Sequence, residues 1–194
     1  MKKLSMLIVC LLLASCGSQS SKKAMNAVIE TNLSSAQMIV ETGNKYASDI
    51  YEKTPYHLGE IYMYLDPDLK GEVQLTYAES TKNNAEVVKV VLDTKKNEIV
   101  SAGSVGTDSK LDPGTLDYSS WKVDSDKAIE LALHEVNNIQ DFTYDKVLIF
   151  SNNMYVKGDA WVVHFINLDK NVYFWCMINP YDGSIYSSGV RKAP

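Results

Sequence analysis

Two stretches, MINPYDGSIYSSG at residues 177–189 and VLDTKKNEIVSAG at residues 91–103, make the same statement in different letters. Each begins with β-formers, reaches a polar residue at the strand end (Asn179, Asp93), passes a residue that tolerates positive φ (Gly183, Asn97), and restarts on an apolar one (Ile185, Ile99). That is a strand, a tight turn and a second strand. Turns of this kind carry no chemistry, so the echo speaks first about architecture.

Upstream of the earlier turn, the runs EIYMYLD, GEVQLTYAES and AEVVKVVLD alternate apolar and polar residues, and EIVSAGS follows it. These read as four strands. Ahead of them, SSAQMIVETGNKYASDIYEK (residues 34–53) places Ala36, Ile39, Val40, Ala47, Ile50 and Tyr51 on one helical face, with Ser34 or Ser35 as the cap and Gly43 as a weak point. The polar stretch 106–120, with Pro113 and Gly114 at its centre, reads as a connector. A second helix over 123–138 then has a cap at Asp124 or Ser125, a staple candidate at Val123, and apolar Ala128, Ile129, Ala132 and Val136. YDKVLIF, DAWVVHFINL, NVYFWCMINP and SIYSSG complete the pattern as four more strands. The expected fold is α+β, two tandem helix-plus-four-stranded antiparallel meander repeats over 34–105 and 121–194.

The chain opens MKKLSMLIVCLLLASCGSQSS, with Lys2 and Lys3 before an apolar run from Leu4 to Ala14. That run is far short of the roughly 20 residues a spanning helix needs, so it reads as a secretory signal. Leu13-Ala14-Ser15-Cys16 resembles the lipobox of bacterial lipoproteins, in which small residues precede the cut and the Cys thiol takes the lipid. Residues 1–15 are expected to leave, Cys16 to be the lipid attachment, and residues 16–33 to begin as a Ser-rich tether. Cleavage removes two of 19 basic residues and none of 24 acidic ones, leaving a formal charge of −7. Nucleic acid is therefore not an expected partner. Cys10 leaves with the signal and Cys16 is lipidated, so Cys176 has no partner for an intramolecular disulfide.

WKVDSDKAIELALHE, then AWVVHF, then CMINPYDGSIY resembles the PepSY domain, whose pattern is an Ala- and Ile-rich helix, a strand opened by Trp or Tyr, and a strand ending in a tight turn. Ile178, Asn179, Pro180 and Gly183 fall on the turn positions, with Asn179 for the commoner Asp and Asp182 for the commoner Thr. The earlier copy is more divergent, with Leu92, Asp93 and Asn97 there. PepSY domains occur in propeptides of thermolysin-like proteases and in envelope proteins. The resemblance implies a protein-binding module, a modulator or inhibitor of an extracytoplasmic peptidase.

The residue inventory offers little to an enzyme. His134-Glu135 begins like a zinc-protease helix, but no second His follows one turn on. His164 lies in a strand with no acid beside it, and His57 stands alone. Cys176 alternates inward and reads as a small buried hydrophobe. Asp66-Pro67-Asp68 and the stretch from Asp108 to Asp117 read as solvated acidic loops. No phosphate-binding loop, nucleophile elbow or metal motif is present. A non-enzymatic chain with no cofactor and no metal is expected.

Alternation then separates faces. Val73, Leu75 and Tyr77 face the helix with Val88, Val90 and Leu92, while Glu72, Gln74, Thr76, Val87, Lys89 and Val91 face away. Matching Leu92 to Ile178 and Tyr77 to Phe165 puts Trp161, Val163, Phe165, Phe174, Cys176 and Ile178 in the core. The opposite face then carries Val162, His164, Ile166, Tyr173, Trp175 and Met177, a dry surface that needs a cover or a partner. The other repeat, residues 24–33 or the connector would serve as the cover. Otherwise this face is the expected binding surface, for a protein or, alternatively, for a small ligand or envelope component.

Overall fold

A computed structural model of the chain describes residues 27–28, 35–50, 57–78, 86–107, 116–151 and 159–192. The lipid-attachment residue Cys16, the signal and most of the tether lie outside them.

Helix α1 (Ala36–Ile50) leads into strands β2 (His57–Leu65), β3 (Gly71–Ala78), β4 (Glu86–Asp93) and β5 (Glu98–Thr107), with the two-residue β1 (Ala27–Val28) pairing onto β5. A single 3₁₀ turn (Tyr118–Ser120) precedes α2 (Ser125–Asn137) and strands β6 (Lys146–Ser151), β7 (Trp161–Asn167), β8 (Val172–Ile178) and β9 (Ile185–Lys192).

The strands do not form two repeats. They make one continuous antiparallel sheet in the order β1-β5-β4-β3-β2-β6-β7-β8-β9, with both helices on one face. The expected pair of tandem helix-plus-four-strand units is thereby corrected. β2 and β6 each carry an open backbone edge, and they pair from Ile61 opposite Ser151 to Leu65 opposite Val147. Closing those edges on each other satisfies N–H and C=O groups that would otherwise face water or a foreign strand. One hydrophobic core runs from Val73 and Val90 through Ile61, Met63 and Ile149 to Phe165, Phe174 and Ile178. Because the halves meet edge to edge, neither covers the other's outer face.

The helices follow the apolar spacing. α1 buries Ala36, Ile39, Val40 and Ala47; α2 buries Ala128, Ile129, Ala132 and Val136. Gly43 sits inside α1 rather than breaking it. A Cβ there would collide with Leu75 Cδ1 and come within 2.8 Å of the Tyr77 hydroxyl, so the missing side chain lets α1 lie close on β3.

The two echoing turns share a device. Asp93 Oδ1 accepts from the Lys95 N–H at 2.8 Å, and Asn179 Oδ1 accepts from the Tyr181 N–H at 2.9 Å. Asn97 (φ 55°) and Gly183 (φ 80°) then take the left-handed conformation that swings the chain into the next strand.

Candidate functional site

β6 to β9 have their core face filled. Trp161, Val163, Phe165, Cys176 and Ile178 are fully buried, and Phe174 nearly so, as alternation requires. The buried Trp161 indole donates to the Val123 carbonyl at 2.8 Å, which removes the penalty of an unpaired N–H.

The other face is read in rows across the strands. One row runs Lys146, Ile166, Tyr173, Arg191; the next Leu148, His164, Trp175, Gly189; the third Phe150, Val162, Met177, Ser187. All six residues expected on this face are on it. Val162 is buried, and His164, Ile166, Tyr173, Trp175 and Met177 are half-buried. Among the described residues, both helices lie on the core side and no element crosses this one.

The face is concave. Phe150, Val162, His164, Tyr173, Trp175, Met177 and Arg191 line a groove of about 350 Å³. His164 stands between rings, 5.6 Å from Phe150 edge-on and 4.9 Å from Tyr173 between centroids. Arg191 lies over the Trp175 ring at 5.1 Å. Gly189 lies directly under the indole, where a Cβ would sit 3.4 Å from Nε1, in ordinary contact. The aromatic surface continues onto β2, where Tyr62 stacks on Phe150 at 6.2 Å and Lys146 lies over Tyr64 at 5.5 Å.

Burial, and secondarily the Arg191 charge, hold the His164 pKa down at about 4, so the imidazole is neutral at neutral pH. Six of the seven lining side chains are then uncharged. Ile166 belongs to the face but not to the groove lining. Phe150 and Arg191 belong to the groove and were not anticipated. Phe150 was within reach, since Val147 and Ile149 point inward and alternation sends Leu148 and Phe150 out. Arg191 was not, because SIYSSG has no alternation to extend beyond Gly189.

The other candidates lie elsewhere. Cys176 is buried in the core, and burial, with Glu135 as a lesser cause, pushes its thiol up to about 12, which makes it a poor nucleophile. The His134 side chain projects into solvent from α2. Asp159 is buried and accepts hydrogen bonds from Trp121 Nε1 and the Tyr181 hydroxyl, both at 3.0 Å. A cavity between the helix N-termini, lined by Ala36, Tyr118, Trp121 and Trp161 among others, holds only about 20 Å³, the size of a single water. Among the described residues no cluster of three or more His, Cys, Asp or Glu could hold a metal ion, and no helix is long and apolar enough to cross a membrane.

No family model matches the chain, and no curated protein matches it, so the PepSY resemblance stands unconfirmed. Among solved structures, a "putative lipoprotein" from Clostridium difficile 630 superposes with a TM-score of 0.51. The match covers 80% of this chain and 91% of that one at 14% identity. Such a likeness establishes a shared fold.

Proposed function

We propose that the chain is a non-enzymatic, lipid-tethered binding protein of the cell envelope, and that the outer face of β6–β9 is its binding surface. The groove carries this reading. A concave site of about 350 Å³ with aromatic walls and one charge falls within the roughly 300–1,000 Å³ of small-molecule sites, and it has the composition of one. A flat apolar face would instead have favoured a broad protein contact. Tethering at Cys16 is supported by the lipobox, and agrees with the fold shared with the clostridial protein.

A second reading follows from β9. Among the described residues it is the edge strand of the sheet, with Tyr186 and Val190 nearly half exposed, and it borders the groove. A partner protein could add a strand there and place a side chain in the groove. This is the form that the peptidase-modulator role implied by the PepSY resemblance would take.

The test uses the chain from residue 16 onward with Cys16→Ala, which carries neither the apolar signal nor the lipid and can be studied without detergent. It should bind the neutral apolar dye N-phenyl-1-naphthylamine at about one site. Trp175→Ala should weaken that binding by about 2 kcal/mol, as removal of a central aromatic anchor does, with little change in urea stability. Dye binding indifferent to Trp175 would reject the groove as the site. A stability loss of roughly 3–5 kcal/mol would mean that the indole is a packing residue instead. Fatty-acid labelling that persists in full-length Cys16→Ala protein would remove the lipid tether from the reading.

A further inference from the structure

The groove has an uneven charge inventory. Among the described residues, Arg191 is its only charged lining residue and no carboxylate lines it. Glu72, the acid in the same row as Trp175, stands four strands away across Tyr64, Leu148 and His164. At roughly 4.8 Å per strand this exceeds the Debye length of about 8 Å at physiological salt. Across the row at the groove's end, Ile166 and Tyr173 lie between two cations, Lys146 and Arg191.

Arg191 itself is poised in a particular way. Its guanidinium carbon lies over the Trp175 ring, 5.1 Å from the centroid, a cation–π contact that holds the charge beside the groove. Among the described residues it has no carboxylate partner. A planar fork of donors without an acid suits an incoming carboxylate or phosphate, which it can hold in two parallel hydrogen bonds. Beside the fork lies an apolar floor of Val162 and Met177 with Phe150, Tyr173 and Trp175 as walls. His164, uncharged at neutral pH, adds no cation within that floor.

We infer that the groove takes a small amphipathic anion, its apolar body seated on Val162, Met177 and Trp175 and its acid group on the Arg191 guanidinium. This rests on the binding role proposed above. The concave shape favours a compact molecule over a membrane surface, which is too broad to enter it.

The probes are decanoate, decanol and decyltrimethylammonium, each displacing the naphthylamine dye from the same signal-free Cys16→Ala chain. Decanoate should displace it at least tenfold more effectively than the chain-matched ammonium. Arg191→Gln should weaken decanoate about tenfold and leave decanol within about twofold, while Arg191→Lys should recover most of the decanoate affinity. Arg191 is exposed, so both variants should keep the urea midpoint of the parent, and a shared fall in decanol affinity would expose a merely structural effect. Equal binding of the two ionic probes, or an Arg191→Gln loss common to decanoate and decanol, would overturn the anion and leave the groove standing. So would failure of all three probes to displace a dye that still depends on Trp175, an outcome that would point to a peptide on β9. Dye binding independent of Trp175 would bring down the site and the inference together.

Discussion

His164 shows what this surface asks of a single residue. Its ring is wedged between Phe150 and Tyr173 with Arg191 nearby, and burial first, then that charge, hold its pKa at about 4. In the unfolded chain it returns to about 6.5. Between those values the unfolded state binds a proton that the folded state refuses, so stability rises with pH across the window and is lost as pH falls through it. Urea titrations at pH 7.5, 5.5 and 4.5 should therefore show the parent losing more stability on acidification than His164→Gln. Parallel losses in the two proteins would mean that the histidine is hydrated in the native state. The placement of this residue was legible in the sequence, because a strand has a side-chain period of two and one correct neighbour fixes the rest. Its half-burial was not. That depends on Phe150 and Tyr173 from adjacent strands, and alternation along one strand says nothing about which strands flank it.

At the scale of elements, Asp124 does two jobs. It caps α2, accepting from the Ser125 N–H at 2.7 Å, and both its oxygens accept from the Gln37 N–H of α1 at 3.2 Å. Ser125 Oγ accepts the neighbouring Ala36 N–H at 2.8 Å. Two helix N-termini, each with orphan donors and a partial positive charge, thus converge on one carboxylate and one hydroxyl. Losing a single N-cap costs about 0.5–2 kcal/mol, so Asp124→Ala should fall at or above the upper end of that range, with Asp124→Asn recovering part of it. A loss below about 0.5 kcal/mol would show that water replaces the carboxylate at both helices. The cap of α2 could be read from VDSDKAIE, since a side-chain acceptor before an apolar helical pattern is a local signal. Its service to α1 could not, because residues 37 and 124 are brought together only by the fold. Gly43 is the converse case: it weakens α1 on local propensity, and the close approach of Leu75 and Tyr77 explains why glycine is there.

The whole molecule turns on the seam between β2 and β6. Hydrophobic period reports which side of a strand faces the core; it carries no information about which edges meet, so the sequence reads equally well as two separate units or one sheet. The structure joins them: the backbone ladder runs from Ile61–Ser151 to Leu65–Val147, Tyr62 stacks on Phe150 across the seam, and the Asp124 and Ser125 caps tie α1 to α2 on the other face. A chain split into residues 34–105 and 121–194 would leave β2 and β6 as open edges, each bearing half of a shared core, and such edges invite aggregation. The intact protein should accordingly unfold in one cooperative transition, with circular dichroism and Trp fluorescence giving coincident urea curves. Neither fragment alone should show a cooperative transition, while mixing the two should restore one. Two resolved transitions in the intact chain, or a fragment 121–194 that folds and binds the naphthylamine dye unaided, would mean that the seam is a docking contact between independent units. The groove, built wholly from β6–β9, would then belong to the second unit alone. A single transition would instead make every destabilising change in the first half, out to Gly43 and Leu75, a change in how often the groove exists to be filled.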